Sequence, residues 1–105
     1  MSEELKKIRD VIVKGYKPDK IILFGSRVWG KPHKWSDYDL LVVKKGVRKE
    51  RYRRGIDIGM MLRKIENKTP TDILVYNQTE LRSICAGGSQ LFNDIVRRGK
   101  YIYEK

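Results

Sequence analysis

Three aspartates, Asp37, Asp39 and Asp72, are the residues whose positions point most directly to chemistry. Asp37 and Asp39 open an apolar run that favours a β-strand, and side chains two positions apart on a strand point to the same face. Adjacent carboxylates repel each other, and a divalent cation such as Mg²⁺, which prefers hard oxygen ligands, relieves that repulsion. Asp72 begins another apolar run. If the two strands are neighbours, the three carboxylates form a site for two metal ions about 4 Å apart, the usual arrangement for in-line phosphoryl displacement.

The residues just before the aspartate pair carry groups suited to phosphate. Gly25 lets the backbone approach a ligand closely, and Ser26 offers a hydroxyl and an amide to phosphate oxygens. Arg27, Lys31 and Lys34 add positive charge that suits a triphosphate. One strand end therefore offers anion-binding groups and the next offers metal-binding groups. Together they predict a Mg²⁺-bound nucleoside triphosphate.

The elements that must position these residues are predicted from hydrophobic patterning. Short apolar runs rich in β-forming residues predict strands at 20–24, 38–43 and 72–76, and residues 101–103 add a last edge strand. Helical spacing predicts a first helix capped by Ser2, and two later short helices capped by Thr79 and Ser89. A further helix carries an inner stripe of Ile58, Met61, Leu62 and Ile65. This order of elements indicates an α/β or α+β sheet covered by helices.

Length and composition limit the class of protein. The chain has 105 residues, which fits a single domain over 1–105, and its net charge of +11 favours polyanionic partners. The longest apolar runs span four residues, so no membrane-spanning segment is expected, and the first residues lack a signal-peptide core. One cysteine, Cys85, and one histidine, His33, exclude an internal disulfide and a cysteine-rich zinc site. A cytoplasmic protein is the natural expectation.

Two segments together carry a family resemblance. Residues 25–30, Gly-Ser-Arg-Val-Trp-Gly, and residues 36–43, Ser-Asp-Tyr-Asp-Leu-Leu-Val-Val, resemble the nucleotidyltransferase signature of the DNA polymerase beta superfamily. The pattern is Gly-Ser, ten further residues, and then Asp-x-Asp. Residues 71–75, Thr-Asp-Ile-Leu-Val, resemble the third motif, which carries the third carboxylate. The size and the C-terminal residues are similar to the minimal nucleotidyltransferases.

The resemblance implies a polymerase-beta-like fold, with a mixed β-sheet flanked by helices, and a transfer of AMP from ATP to an acceptor hydroxyl. In that family pattern Asp37 and Asp39 bind both Mg²⁺ ions, and Asp72 binds the metal next to the acceptor and helps to remove its proton. Gly25 and Ser26 hold the β- and γ-phosphates. Minimal members are commonly paired with a HEPN-domain toxin, so the resemblance implies a type VII-like antitoxin that adds AMP to a tyrosine of that toxin.

Several alternatives remain open at the level of sequence. Ser36 could contact phosphate together with Arg27, or it could only shape the turn before the strand. Trp29 and Trp35 could stack on the nucleotide base, although packing of the loop is favoured. Larger superfamily members use a second domain to hold the acceptor, so here another chain, or a homo-oligomer, is expected to present it.

The most basic stretch, residues 44–54, begins with Lys44 and ends with Arg54, and it is either a contact surface for RNA or a toxin, or a solvated connection. The solvated interpretation is slightly favoured. Rival functions are a binding antitoxin that masks the toxin without chemistry, a transferase acting on a small molecule such as an antibiotic, and an RNA-tailing enzyme. Antibiotic-type acceptors such as aminoglycosides suit acidic pockets, so the basic charge of this chain argues mildly against them.

Overall fold

The computed structural model describes residues 1–30, 37–66 and 68–105. Its elements, in chain order, are α1 (Glu3–Tyr16), β1 (Lys20–Phe24), α2 (Ser26–Trp29), β2 (Tyr38–Val43), α3 (Arg51–Leu62), β3 (Thr71–Tyr76), α4 (Gln78–Ala86), α5 (Gln90–Arg98) and β4 (Lys100–Glu104). The predicted strands at 20–24 and 38–43 are confirmed with the same bounds, and the third begins one residue earlier than predicted. Among the described helices, none is long and apolar enough to cross a membrane.

The four strands form one mixed sheet in the order β3-β2-β1-β4. β1 pairs antiparallel with both β2 and β4, whereas β2 and β3 pair in parallel. The parallel pair is joined through α3, as expected because parallel neighbours need a crossover connection. The prediction of a last edge strand is confirmed by β4. The expected α/β architecture, with a mixed sheet flanked by helices, is therefore confirmed.

Apolar side chains on both faces of the central strands hold the layers together. One core cluster includes Ile21, Leu23, Leu40 and Val42 with residues of α1 and α3, and the other includes Ile22 and Leu41 with residues of α4 and α5. Successive strand residues alternate between the two clusters because side chains on a strand point to opposite faces in turn. On β1, β2 and β3 this alternation assigns each residue to one of two faces, which we call the α1/α3 face and the α4/α5 face.

The helix caps agree with the sequence at two positions and differ at a third. The side chains of Ser2 and Ser89 accept hydrogen bonds from the first turns of α1 and α5, as predicted. The prediction of Thr79 as the cap of α4 is wrong, because Asn77 occupies that position. Asn77 Oδ1 accepts from the Glu80 amide, and Glu80 Oε1 accepts from the Asn77 amide, each at 2.8 Å. This reciprocal capping box starts the helix two residues earlier than predicted.

Residues 44–54 are neither a purely solvated connection nor a purely exposed binding surface. The second half of the stretch is already α3, and Arg54 is only 3% exposed. Its guanidinium donates to both carboxylate oxygens of Glu80, at 2.7 and 3.3 Å, and to the carbonyls of Lys49 and Val75 at 2.6 and 3.2 Å. Arg54 therefore ties α3 to β3 and to the start of α4, which is a structural role that charge patterning did not predict.

Candidate active site

The sheet register brings two of the predicted aspartates together. Asp39 on β2 pairs directly with Asp72 on β3, and on its other side Asp39 pairs with Phe24 on β1. Paired residues on neighbouring strands point to the same face of a sheet. Phe24 belongs to the cluster on the α4/α5 face, so Asp39 and Asp72 point to that face as well. The condition set by the sequence, that the two acidic strands be neighbours, is met.

Asp37 lies one residue before β2 and is exposed. Its charge still acts on the paired carboxylates. Burial raises the pKa of Asp39 above its ordinary value, and the negative charges of Asp72 and Asp37 raise the pKa of Asp39 further. Asp39 therefore lies within electrostatic reach of both other aspartates, and its ionised form is disfavoured there.

The turn after β1 lies against this acidic group. Gly25 has φ 81° and ψ −154°, a conformation that is essentially restricted to glycine. A Cβ at this position would overlap Asp39 Oδ2 and lie 3.1 Å from Asp39 Cγ. Glycine is therefore required both by the backbone and by the closeness of the Asp39 carboxylate. The close neighbour of Gly25 in the structure is the Asp39 carboxylate, and the approach of this backbone to a phosphate stays a prediction.

The short helix α2 follows this turn directly and closes it. The amides of Val28 and Trp29 donate to the Gly25 carbonyl at 2.9 and 3.1 Å, and the Gly30 amide donates to the Ser26 carbonyl at 3.2 Å. A Cβ at Gly30 would lie 2.8 Å from Ser26 Cα, so the turn is too tight for any larger residue there. Ser26 itself is exposed at the end of β1, beside Gly25.

Arg27 and Trp29 leave α2 in different directions. The Arg27 guanidinium lies 4.2 Å from the ring centroid of Tyr38, whose ring belongs to the α1/α3 face. Arg27 is therefore directed to the side of β2 opposite Asp39. Trp29 packs against the cluster on the α4/α5 face, with its ring centroid 6.4 Å from that of Phe24. The favoured interpretation of Trp29, packing of the loop, is confirmed.

Other predicted positions fall outside the described residues or outside the site. Ser36, together with Lys31, His33, Lys34 and Trp35, lies in the segment 31–36, outside the described residues. Cys85 is half-buried against the cluster on the α4/α5 face, as expected for a small apolar residue.

The fit of this site to a divalent cation depends on its donor set. Carboxylate oxygens are the ligands that Mg²⁺ prefers, and a cation would favour the ionised form of Asp39, which burial and the charges of Asp72 and Asp37 disfavour. Within residues 1–30, 37–66 and 68–105, however, no group of three Asp, Glu, His or Cys side chains is placed to hold a metal ion together. The donors therefore have the right chemistry and are neighbours, without forming a preassembled ligand cage.

Comparison with protein families gives one match along almost the whole chain. A family model described as polymerase beta, nucleotidyltransferase, matches residues 6–105. The matched region includes the Gly25–Ser26 turn and all three aspartates. No curated protein is significantly similar to this chain in sequence.

Solved structures with a similar fold were also found. A candidate nucleotidyltransferase from Sulfolobus solfataricus is 21% identical, with a TM-score of 0.62 over 98% of this chain and 79% of that chain. A toxin–antitoxin with AMP-PNP is 23% identical, with a TM-score of 0.61 over 99% and 75% of the two chains. A toxin–antitoxin MntA–HpeT mutant, in which two aspartates two positions apart are changed to glutamate, is 21% identical, with a TM-score of 0.59 over 99% and 75%. At these identities the likeness establishes a common fold.

Proposed function

This chain belongs to the polymerase beta nucleotidyltransferase family, and on that premise we propose that it transfers AMP from ATP to a hydroxyl group of a partner protein. The observation that carries the proposal is the direct pairing of Asp39 with Asp72 beneath the Gly25 turn. A carboxylate pair next to a tight Gly-Ser turn places metal-binding and phosphate-binding groups on one end of the sheet. Phosphoryl transfer requires both kinds of group within reach of one substrate.

Asp37, Asp39 and Asp72 would hold Mg²⁺ in this proposal, with two ions as the expected number. The bound ions would neutralise charge on the transferring phosphate and acidify the acceptor hydroxyl. The raised pKa of Asp39 supports this assignment, because burial and, in addition, the negative charges of Asp72 and Asp37 disfavour its ionised form. Without a cation, that repulsion opposes the ionised state that binds metal.

Other residues of the chain would bind the phosphates and accept the proton. Gly25 and Ser26 bind the β- and γ-phosphates, and Asp72, at the outer side of the pair, accepts the proton of the acceptor hydroxyl. The acceptor oxygen forms a bond to the α-phosphorus, the bond from the α-phosphorus to the bridging oxygen breaks, and pyrophosphate leaves with that electron pair. Ser36 and Arg27 remain predicted nucleotide contacts, although the direction of Arg27 toward Tyr38 favours the Gly25–Ser26 turn as the principal one.

The proposed acceptor is a tyrosine of a HEPN-domain toxin, so that the chain acts as an antitoxin. Two of the similar folds are toxin–antitoxin structures, and one of them contains AMP-PNP, an analogue of ATP. Those similarities support the class of partner and the adenine nucleotide.

A contact with RNA through residues 44–54 has less support. Arg54, the last residue of this stretch, is only 3% exposed and donates to Glu80, so it is not available to RNA. Other cations of the stretch, such as Arg48, Lys49 and Arg53, are exposed.

One observation favours a second candidate, an antitoxin that neutralises by binding alone. The described carboxylates do not form a preassembled group of three metal ligands. A protein that masks its partner without chemistry would not need such a group. A transferase would increase the mass of the partner protein by AMP, whereas an antitoxin that only binds would leave that mass unchanged.

The experiment combines the purified chain, ATP, Mg²⁺ and a purified HEPN-domain protein, followed by intact mass measurement of that protein. We expect a gain of one AMP per modified tyrosine, and loss of this gain in the double variant Asp37→Ala, Asp39→Ala. Asp10→Ala is the matched control, since Asp10 is an exposed aspartate on α1. If the double variant still neutralises the HEPN-domain protein, and if no mixture shows a mass change of that protein, the chain acts by masking instead.

A further inference from the structure

Arg98, the last residue of α5, is an exposed cation held beside the candidate site. Its guanidinium carbon lies 5.4 Å from the ring centroid of Trp29, the last residue of α2. Cation–π contacts of this kind hold an arginine in place while its in-plane N–H groups remain available to a ligand. Arg98 lies 71 positions after Arg27 in the chain, so no local pattern connects it with the Gly-Ser turn.

The backbone after Arg98 fixes where this arginine lies. Gly99 has no room for a side chain, since a Cβ there would overlap the Ile95 carbonyl and lie 3.2 Å from the Leu23 carbonyl. The next residue, Lys100, pairs with Leu23 on β1. Arg98 is therefore anchored against the end of β1 from which the Gly25–Ser26 turn emerges.

A short series of contacts leads from Arg98 to the carboxylates. Arg98 lies over Trp29, Trp29 packs on Phe24, and Phe24 pairs with Asp39 across the strands. Phe24 and Trp29 belong to the cluster on the α4/α5 face, and Asp39 shares that face because it pairs with Phe24. Along this end of the sheet the charges therefore run from acidic at β3 and β2, through the Gly25–Ser26 turn on β1, to basic at the end of α5.

This distribution of charge matches the distribution of charge in a metal-bound nucleoside triphosphate. The carboxylates suit the metal cations. The terminal phosphates carry most of the negative charge, so they need hydrogen-bond donors on the side of the Gly25–Ser26 turn away from the carboxylates. Arg27 is directed toward Tyr38 on the opposite face of β2. Arg98 contacts Trp29, which packs on the α4/α5 face, so its guanidinium lies on the side of the sheet to which Asp39 points.

We propose that Arg98 binds the terminal phosphates of the nucleotide and so selects triphosphates over monophosphates. The inference rests on the proposed function, because it assumes that ATP occupies the Gly25–Ser26 turn. Arginine suits this role since its planar fork can donate two parallel hydrogen bonds to a phosphate group. Trp29 then acts as a positioning residue that holds the guanidinium in place.

Isothermal titration of the full chain with Mg²⁺·ATP and, separately, with AMP tests the assignment. Arg98→Ala should weaken ATP binding about 10- to 100-fold, the range expected for lost hydrogen bonds to a charged group. The affinity for AMP, which lacks the β- and γ-phosphates, should change by less than about twofold. Arg98→Lys keeps the charge without the fork and should fall between Arg98→Ala and the unmodified chain.

Arg97→Ala is the matched control, because Arg97 is the exposed neighbouring arginine on the same helix turn. It removes the same charge and should weaken ATP binding by less than about threefold, as expected for a screened surface charge. Circular dichroism checks that each variant keeps its fold. If Arg98→Ala does not fold, Arg98→Gln serves in its place, since it keeps most of the side chain over Trp29.

The outcomes separate this inference from the proposed function. ATP binding by the unmodified chain with equal losses in Arg98→Ala and Arg97→Ala would overturn the role of Arg98 alone. Equal losses for ATP and AMP in Arg98→Ala would do the same, because they would mean a general structural effect. Failure of the unmodified chain to bind ATP at all would overturn the proposed function, and the role of Arg98 with it.

Discussion

Replacement of Gly25 by alanine is the smallest change that should damage the candidate site. The backbone of Gly25, at φ 81° and ψ −154°, lies in a region that other residues rarely adopt. The added Cβ would also overlap Asp39 Oδ2. One methyl group therefore acts both on the turn that is proposed to hold phosphate and on the carboxylate that is proposed to hold metal.

The magnitude follows from these two effects. Adopting the unfavourable backbone conformation should cost about 1–3 kcal/mol, and forced repacking against Asp39 should cost about 1–3 kcal/mol in addition. Gly46→Ala is the matched control. Gly46 also has a positive φ, 77°, but no heavy atom of the described residues lies within 4 Å of its Cβ position. This control should lose only about 1–2 kcal/mol from the backbone.

Urea unfolding and AMP transfer measure the two consequences. Gly25→Ala should have a lower free energy of unfolding than Gly46→Ala by about 1–3 kcal/mol. A displacement of the Asp39 carboxylate by about 1 Å should also reduce transfer about 100-fold in Gly25→Ala, while Gly46→Ala keeps its activity. Equal stability of the two variants, or full transfer by Gly25→Ala, would refute the closeness of Gly25 and Asp39 as the reason for this glycine.

Four further perturbations follow from named contacts. Asp39→Asn should abolish transfer. In EDTA near pH 7 it should also raise the free energy of unfolding, because the raised pKa of Asp39 means that its ionised form destabilises the fold. In urea titrations this gain in stability should vanish below about pH 3.9, where Asp39 of the unmodified chain is protonated in both the folded and the unfolded state. Arg54→Met should lower the free energy of unfolding by about 3 kcal/mol, since it leaves the Glu80 carboxylate without its main partner. Glu80→Gln should reduce the fall in the free energy of unfolding that acid causes. Arg54 lowers the pKa of Glu80, so the ionised Glu80 stabilises the fold above about pH 4.3, and this stabilisation is lost as the pH falls through the pKa of Glu80 in the folded state. Ser26→Ala should weaken ATP binding about tenfold in calorimetry, for one lost hydrogen bond to a charged group.

Each of these predictions has a contrary result. Transfer by Asp39→Asn would exclude Asp39 from the metal site, and a lower stability of this variant in EDTA would contradict the repulsion among the carboxylates. An Arg54→Met variant as stable as the unmodified chain would mean that the contact with Glu80 is not strongly stabilising. If the free energy of unfolding of Glu80→Gln depends on pH as it does in the unmodified chain, the lowered pKa of Glu80 is contradicted. An unchanged ATP affinity in Ser26→Ala would exclude Ser26 from the site.

The fold could be predicted from the sequence largely because the central strands are buried on both faces. Each of these strands contains four successive apolar residues, 21–24 in β1 and 40–43 in β2, which make the strands easy to locate. The pairing of β2 with β3 does not follow from the sequence, because apolar strands carry little information about which strand lies beside them. The position of Asp72 beside Asp39 therefore required the structure.

The sequence was less informative where one residue type can serve two roles. Arg54 stands in a run of exposed basic residues, and only its pairing with Glu80 distinguishes it. Thr79 is a good cap in isolation, but Asn77 has Glu80 at the spacing that a capping box requires. The contact between Arg98 and Trp29 spans 69 positions, and no local pattern indicates such a pair.

A crystal structure of the chain with Mg²⁺ and a non-hydrolysable ATP analogue tests the central claim most directly. Mg²⁺ is expected to be bound by oxygens of Asp37, Asp39 and Asp72, with the terminal phosphates of the analogue against Gly25 and Ser26. A nucleotide bound at another surface, or Mg²⁺ with no contact to these aspartates, would contradict the account.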